Sequence, residues 1–241
     1  MNLVTDIGNT LVKVAVFDNG QIVERFVSNV HSRDLLKSIA GRFPIKKAIL
    51  SSVVKDSAEI AGYLEHNFRF VEFTDKTRIP IKNFYETPET LGRDRLAGAI
   101  AANNLYPGRN VLVIDAGTCI KYDLITAEGA YLGGAISPGI SMRFKALHTF
   151  TGKLPLLGAS SVDYLIGKNT VESIHSGVLN GVYAEVDGII NQYRAVFPEM
   201  LVLLTGGNIS NFEGKLKNAI FAVPDLQFTG LNIILEYNAE E

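Results

Sequence analysis

The feature that most constrains the fold of this chain is a pattern that occurs twice, about a hundred residues apart. In the first copy an apolar strand ends in Asp6, turns at Gly8 and continues as a second apolar strand over 11–17. In the second copy Asp115 and Gly117 hold the same places between two apolar runs. A supersecondary unit that recurs in this way indicates an internal duplication. The duplication predicts two similar α/β domains that face each other across a cleft.

The boundary between the domains is predicted near residue 108, which gives domains over 1–108 and 109–241. A further buried strand is predicted over 200–204, and the tail from Glu236 onward is predicted to be frayed. Helical periodicity or composition predicts helices over 33–40, with Ser32 as the N-cap, and over 56–66, 91–104 and 170–193.

Composition and charge restrict the classes of protein that remain. The chain has 241 residues and a formal net charge of -2, without the basic excess that marks dedicated nucleic-acid binders. Its single cysteine, Cys119, cannot form an internal disulfide. No apolar run approaches the ~20 residues of a membrane span, and the N-terminus lacks the pattern of a signal peptide. We therefore expect a cytoplasmic protein without nucleic-acid or membrane partners.

The loop from Asp6 to Thr10 has the parts of a phosphate-binding turn. Gly8 lets the backbone approach a ligand, and the Asn9 amide and the Thr10 hydroxyl can donate hydrogen bonds to phosphate oxygens. A carboxylate beside phosphate needs a cation between them, which predicts Mg²⁺ near Asp6, held through water. Lys13 would add positive charge if the loop folds back toward the phosphates. The alternative for this loop alone is a plain hairpin turn between two strands.

Two further loops follow apolar strands in the second half of the chain. The segment from Asp115 to Cys119 repeats the acid, glycine and hydroxyl of the first loop, so the two loops would grip a polyphosphate from two sides. Gly206 and Gly207 follow the strand over 200–204, and their backbone would let a flat adenine ring lie against it. By itself, a Gly-Gly pair after a strand is most often a turn.

A charged segment, Gly92-Arg93-Asp94-Arg95, opens the predicted helix over 91–104. A phosphoryl acceptor needs a carboxylate placed in line with the γ-phosphate, and two arginines beside Asp94 favour its charged form. Arg95 is the better candidate to hold a substrate carboxylate in a fork. The alternative is a solvated, charge-paired turn at the start of a helix.

Taken in order, these motifs resemble the superfamily of actin, heat-shock ATPases and sugar kinases, and within it the type III pantothenate kinases. The resemblance runs over nearly the whole chain. It is carried by Asp6-Ile7-Gly8-Asn9-Thr10 with Lys13, Gly92-Arg93-Asp94-Arg95, Asp115-Ala116-Gly117-Thr118, Gly133-Gly134-Ala135-Ile136-Ser137-Pro138-Gly139 and Thr170-Val171-Glu172-Ser173-Ile174-His175-Ser176-Gly177. It implies two duplicated, actin-like (RNase H-like) α/β domains with an ATP cleft, and transfer of the ATP γ-phosphate to pantothenate in coenzyme A synthesis.

The resemblance also implies roles for individual residues. Asp94 would be the general base that accepts the proton of the pantothenate hydroxyl, and Asp115 would hold a monovalent cation, K⁺ or ammonium, beside the Mg²⁺. The implied ATP-binding residues are Asp6, Ile7, Gly8, Asn9, Thr10, Leu11, Val12, Lys13 and Thr118, with Gly206 and Gly207 at the adenosine. The implied pantothenate pocket consists of Tyr85, Gly92, Arg93, Asp94, Arg95 and Thr170. The family forms homodimers, and Gly177 and Gly181 on the helix over 170–193 are compatible with close helix packing.

Two positions depart from the family pattern. After Thr118 the family has a small residue and then a threonine, where this chain has Cys119 and Lys121. Lys121 would either contact a phosphate or point outward along its strand.

The residues after Gly139, Arg143 among them, are predicted to form a partly exposed helix without a catalytic task. Two other functions stay open: another small-molecule kinase or phosphatase of the superfamily, and a nucleotide-binding regulator on the same scaffold.

Overall fold

The computed structural model describes residues 1–8, 11–29, 33–54 and 57–239. The chain divides into two compact units, one formed by Met1–Asn104 with Leu226–Glu241 and the other by Leu105–Asp225. Each unit contains a mixed β-sheet with helices against it. The units differ from the domains predicted over 1–108 and 109–241 in one main respect, because the C-terminal segment clusters with the first unit rather than with the second.

The strands in the sheet of the first unit are β1 Asn2–Ile7, β2 Val12–Asp18, β3 Gln21–Ser28, β4 Lys47–Ser52 and β5 Arg69–Glu72, and they lie in the order β3-β2-β1-β4-β5. β1 and β2 are the apolar strands predicted on either side of Gly8. A short strand, β6, covers Lys82–Asn83. β1 pairs antiparallel with β2 and parallel with β4. β1 and β4 are buried along most of their length, whereas β3 alternates between exposed and half-buried residues, as expected for an outer strand.

Three helices of this part of the chain lie within two residues of their predicted bounds. They are α1 Arg33–Arg42, α2 Ala58–Asn67 and α3 Arg93–Leu105. α1 buries Leu36 and Ile39, and α2 buries Ile60 and Leu64, which is the spacing of an amphipathic helix on a sheet. The predicted N-cap Ser32 and the predicted helix start at Asp56 lie outside the described residues.

The sheet of the second unit repeats the topology of the first. Its strands are β7 Val111–Ala116, β8 Cys119–Ile125, β9 Ala130–Pro138, β10 Leu201–Thr205 and β11 Phe221–Ala222. In the order β9-β8-β7-β10-β11, every pair of neighbours has the same relative direction as the matching pair in β3-β2-β1-β4-β5. The predicted duplication and the α/β fold class are therefore confirmed.

Two helices, α4 Ile140–Thr149 and α5 Thr170–Val196, pack on the sheet of the second unit. On α5, Val178, Val182, Val186 and Ile190 repeat every four residues and join one core with the strands β7, β8 and β10. Among the helices that the described residues form, none is long and apolar enough to cross a membrane.

The last helix, α6 Leu226–Ala239, corrects the predicted frayed tail. Asn2 donates through its side-chain amide to Asn232 Oδ1 at 2.8 Å and to Glu236 Oε1 at 2.5 Å. Lys47 forms an ion pair with Glu236 at 2.5 Å. These contacts attach α6 to β1 and β4, so the end of the chain completes the first unit.

Candidate active site

The two predicted phosphate loops leave their sheets at equivalent points. Asp6 is the next-to-last residue of β1, and Asp115 is the next-to-last residue of β7. The residues paired with these carboxylates across the neighbouring strands are Ser51 and Lys13 for Asp6, and Thr205 and Lys121 for Asp115. Each unit therefore places a hydroxyl residue, a carboxylate and a lysine in a row near the end of its central strand.

In the second unit, the predicted phosphate loop and the predicted adenosine loop are in contact. The Asn208 backbone N–H donates to Ala116 O at 3.0 Å, and its side-chain amide donates to Gly117 O at 3.1 Å. Gly206 has a φ of +99°, and a Cβ built on it would lie 2.4 Å from Asp115 Oδ1. Only glycine fits this left-handed, crowded position. The two loops, which are about ninety residues apart in sequence, form one surface in this unit.

The turn at the end of β9 supports the second phosphate loop from the other side. The Gly139 backbone N–H donates to Thr118 O at 3.0 Å, and the Gly117 N–H donates to Cys119 O at 3.0 Å. Arg143 on α4 donates through Nε to Pro138 O at 2.8 Å. The segment Gly133 to Gly139 thus has a structural role next to Thr118, which the resemblance assigns to ATP.

A polar cluster behind this turn was not predicted from the sequence. Glu185 on α5 accepts hydrogen bonds from Ser137 Oγ at 2.6 Å, Arg143 Nη2 at 2.5 Å and the Tyr122 hydroxyl at 3.3 Å. Burial and the Glu185 charge raise the pKa of Tyr122, so its hydroxyl stays protonated. The cluster joins α4, α5, β8 and β9, and gives Arg143 a positioning role.

Asp115 forms an ion pair with Lys121 in which the Lys121 Nζ and the Asp115 Oδ2 are 2.6 Å apart. The side chains are only 11% exposed for Asp115 and 15% exposed for Lys121. Lys121 was predicted either to contact a phosphate or to point outward along its strand, whereas the structure places its ammonium on Asp115. The residues present therefore do not fit a free monovalent cation at this carboxylate, because a cation of the chain already neutralises it.

In the first unit, the predicted phosphate loop is only partly described. Asp6 and Lys13 are half-buried, and the Gly8 N–H donates to Leu11 O at 2.9 Å. Ile7 and Val12 pair across β1 and β2, and both side chains are buried. These two side chains are therefore not available to a ligand, which could reach only the backbone here. Asn9 and Thr10, which the resemblance also assigns to ATP, lie outside the described residues.

The predicted catalytic segment opens α3, where Asp94 lies in the first turn of the helix. The half-buried Asp94 accepts a hydrogen bond through Oδ1 from the Arg95 backbone N–H at 2.9 Å. A Cβ built on Gly92 would lie 2.6 Å from the same oxygen, so a glycine there leaves room for the carboxylate. A carboxylate at a helix N-terminus is stabilised by the exposed N–H groups and the helix dipole.

Three further predicted residues lie around this helix start. Arg93 donates through Nη1 to Ser52 O at the end of β4, next to the Ser51 that pairs with Asp6. The buried guanidinium of Arg95 lies 5.5 Å from the ring centroid of Tyr85, a cation–π contact. The structure thus brings Tyr85, Gly92, Arg93, Asp94 and Arg95 together within the first unit.

Thr170, the last predicted substrate residue, belongs to the second unit. It is the exposed first residue of α5, after the N-cap Asn169, whose side chain accepts from the Glu172 N–H at 2.9 Å. Thr170 lines a largely apolar groove of about 880 Å³ between α4 and α5. Other residues that line the groove include Leu147, Phe150, Ile174 and Gly177.

Asp187 on α5 fixes the chain that follows the adenosine loop. Its carboxylate accepts hydrogen bonds from the Lys217 N–H at 3.0 Å, the Asn218 N–H at 3.0 Å and the Asn218 side-chain amide at 2.9 Å. Burial would by itself raise the pKa of Asp187, but these donors outweigh burial and lower the pKa below its ordinary value. The carboxylate therefore stabilises the fold in its charged form.

We expect Asp187→Asn to lower the free energy of unfolding at pH 7 by about 1–3 kcal/mol, because an amide offers one acceptor fewer to three donors. A lowered folded-state pKa gives stability that is complete above the unfolded pKa of about 4 and is lost as the pH falls through the folded value. The difference between wild type and variant should therefore shrink in acid. Urea unfolding from pH 7 down to pH 2 measures it, with the exposed Asp163→Asn as control. A difference that is constant with pH would contradict this role.

Two duplicated α/β units, each with an Asp-Gly loop at the same strand end, define the actin-like class of phosphotransferases and ATPases. A Campylobacter jejuni structure described as a Baf family transcriptional activator matches with a TM-score of 0.65 and 22% identity, over 99% of this chain and 100% of that one. A glucokinase from an Antarctic psychrotroph matches with a TM-score of 0.52 and 12% identity, over 98% of each chain. At such identities the likeness shows the fold alone.

Other proteins are far more similar to this chain in sequence than these solved structures are, and they belong to one family. The sequence profile of the type III pantothenate kinases matches residues 2–192. A type III pantothenate kinase of Phocaeicola vulgatus is 48% identical over 239 residues, and one of Christiangramia forsetii is 46% identical over 242 residues; each match covers 99% of both chains. The chain belongs to the type III pantothenate kinase family.

Proposed function

We propose that this protein transfers the γ-phosphoryl group of ATP to the primary hydroxyl of pantothenate, giving 4'-phosphopantothenate and ADP, at the first step of coenzyme A synthesis. The observation that carries the proposal is the position of Asp94. Its carboxylate lies in the first turn of α3, where it accepts a hydrogen bond from the Arg95 backbone N–H, and Arg95 in turn contacts Tyr85. The family membership supplies the substrate class.

Asp94 would act as the general base. As the hydroxyl oxygen of pantothenate attacks the γ-phosphorus, the bond from the γ-phosphorus to the β-phosphate oxygen breaks, ADP leaves, and the hydroxyl proton passes to the Asp94 carboxylate. Most of the catalytic effect in such a reaction comes from positioning and from neutralising phosphate charge. The hydrogen bond from the Arg95 N–H orients the carboxylate before the substrate binds.

ATP would be held by the two phosphate loops and the adenosine loop. Lys13 and the backbone from Asp6 to Val12 supply the first phosphate contact, and Thr118 supplies the second. Gly206 and Gly207 offer bare backbone to the adenine, and Asn208 keeps this loop against the second phosphate loop. The contact between the two loops within one unit supports a shared nucleotide site.

The residues present fit a Mg²⁺ ion that is held mainly by phosphate and water. Among the described residues no three acidic, cysteine or histidine side chains converge on a metal position. The half-buried Asp6 alone, at the start of the first phosphate loop, suits an ion that keeps several waters and is completed by ATP oxygens. When bound, the ion neutralises charge on the phosphates.

The pantothenate pocket would be built around Tyr85 and Arg95. The cation–π contact holds the Arg95 guanidinium in place, and a fixed guanidinium pairs well with the carboxylate of pantothenate. Gly92 and Arg93 shape the same segment.

A homodimer is the expected assembly. Phe150, directly after α4, is 85% exposed, and Val171 on α5 is 43% exposed, which leaves an apolar face beside the groove that Thr170 lines. Nothing in the described residues lies within 4 Å of a Cβ built on Gly177, so α5 has room there for a close neighbour. A cytoplasmic location and the absence of nucleic-acid and membrane partners stay predictions.

A coupled assay of ADP release with MgATP, with and without pantothenate, tests the proposal. We expect ADP release that depends on pantothenate, and mass spectrometry should detect phosphopantothenate in equal amount. ATP binding without pantothenate-dependent ADP release would contradict the proposal. That outcome would favour another alcohol acceptor or a nucleotide-binding regulator.

A further inference from the structure

The family resemblance predicts a free monovalent cation next to Asp115, and in this structure the ammonium of Lys121 lies at that place. The two residues are direct partners in the register of β7 and β8, so their side chains leave the same face of the sheet. The Lys121 Nζ lies 2.6 Å from the Asp115 Oδ2. Such a close contact between an ammonium and a carboxylate is a charge-assisted hydrogen bond.

The surroundings of this carboxylate leave little place for a second cation. One oxygen carries the ammonium, and the other lies so close to Gly206 that a Cβ there would be 2.4 Å from it. Both partners are mostly buried, and like charges repel strongly where water is largely excluded. A potassium ion at Asp115 would have to displace the lysine.

The internal duplication gives this lysine a counterpart. Lys13 has the same register position opposite Asp6 in the first unit, so each unit carries an Asp–Lys pair across equivalent strands. The lysine therefore occupies a regular position in the fold. It is a compact ammonium with three donors, the same charged group as the ammonium ion.

We propose that the Lys121 ammonium replaces the free monovalent cation at Asp115, so that this protein needs neither K⁺ nor NH₄⁺ for phosphoryl transfer. The inference rests on the proposed kinase activity. A covalently attached cation is always present at the site, because no free ion has to be captured from solution. The ion pair also keeps Asp115, and with it the adenosine loop at Gly206, in a fixed position.

The first test is turnover of wild type with MgATP and pantothenate in KCl, NH₄Cl, NaCl and choline chloride at equal ionic strength. We expect rates that agree within about twofold in all four salts. Lys121→Thr, which restores the threonine of the family, should be slow in choline chloride and at least fivefold faster in KCl or NH₄Cl. Lys145→Thr, at an exposed lysine of the same unit, should behave like wild type in every salt.

The second test needs no turnover. Without nucleotide, KCl should raise the thermal midpoint of Lys121→Thr relative to choline chloride, because a bound ion stabilises the folded state. Wild type should show no such K⁺-specific rise. The rise should disappear in the double variant Asp115→Asn/Lys121→Thr, which has no carboxylate to hold the ion. Lys121→Met removes the ammonium but keeps an unbranched side chain that is one atom shorter, and it serves in the same comparison if the threonine variant does not fold.

Wild-type turnover that rises more than fivefold with K⁺ over choline would overturn the inference, whatever the variants do. So would a Lys121→Thr protein that is as fast as wild type and shows no K⁺ effect in either test. A protein without pantothenate-dependent turnover in any salt would contradict the proposed kinase activity instead, and the thermal midpoints would still decide whether Lys121 excludes the ion.

Discussion

Asp94→Asn should lower kcat by about 10²–10⁴-fold, the usual contribution of a general base. The amide has nearly the shape of the carboxylate and retains an acceptor for the Arg95 N–H, so α3 should start as before. It cannot accept the proton of the attacking hydroxyl. Because Asp94 lies outside the three nucleotide loops, we expect the KM for ATP to change by less than about threefold.

Steady-state rates with saturating MgATP and pantothenate measure the effect, and the thermal midpoint verifies folding. Asp75→Asn is the matched control, since this aspartate is exposed in the same unit and has no place in the proposed site. It should retain the rate of wild type. A rate for Asp94→Asn within tenfold of wild type would remove Asp94 from the role of base and leave it a structural helix-start residue.

The strands and the duplication were predictable because each buried strand is a short apolar run that ends in a turn. The central strands β1, β4 and β7 are buried along most of their length, and their composition alone marks them. The loops at their ends were predictable for the same reason. A glycine and an acid directly after such a run mark the end of a central strand, where ligands bind in open α/β sheets.

The helix α6 escaped prediction because it has no single apolar face. Its buried residues include Leu226, Phe228, Gly230 and Leu231, which lie on several sides of the helix. Such a helix is covered on more than one side, and periodicity does not reveal it. The hydrogen bonds from Asn2 join residues 230 or more positions apart in sequence, a pairing that only the folded chain shows.

The site was predictable in its residues but less so in its contacts. Glu185 and Arg143 lie 42 positions apart, and no local pattern connects them. The contact between Lys121 and Asp115 could have been predicted from the sequence. A tight hairpin turn after Asp115 places the residue six positions later, Lys121, directly opposite Asp115 on the neighbouring strand. Extending that register from the sequence would have placed Lys121 opposite Asp115, a partner that neither predicted direction of Lys121 included.

Gly206→Ala should have the second large effect, on both stability and ATP binding. At a φ of +99° a side chain strains the backbone, and its Cβ would lie 2.6 Å from Ala116 O in addition to 2.4 Å from Asp115 Oδ1. Backbone strain and overpacking each cost about 1–3 kcal/mol, so we expect a loss of about 2–6 kcal/mol in the free energy of unfolding. The loop can relieve the clash only by moving away from the second phosphate loop.

That movement would separate the adenosine loop from Thr118, and kcat/KM for ATP should fall at least about tenfold. Gly207→Ala is a matched control for stability, because nothing lies within 4 Å of a Cβ built on it. Its free energy of unfolding should stay within about 0.5 kcal/mol of wild type. Urea unfolding of the two variants and of wild type measures the difference. If Gly206→Ala lost no more free energy of unfolding than Gly207→Ala, the crowding at Gly206 would be relieved without movement of the loop. The contact between the two loops would then not determine the geometry of the nucleotide site.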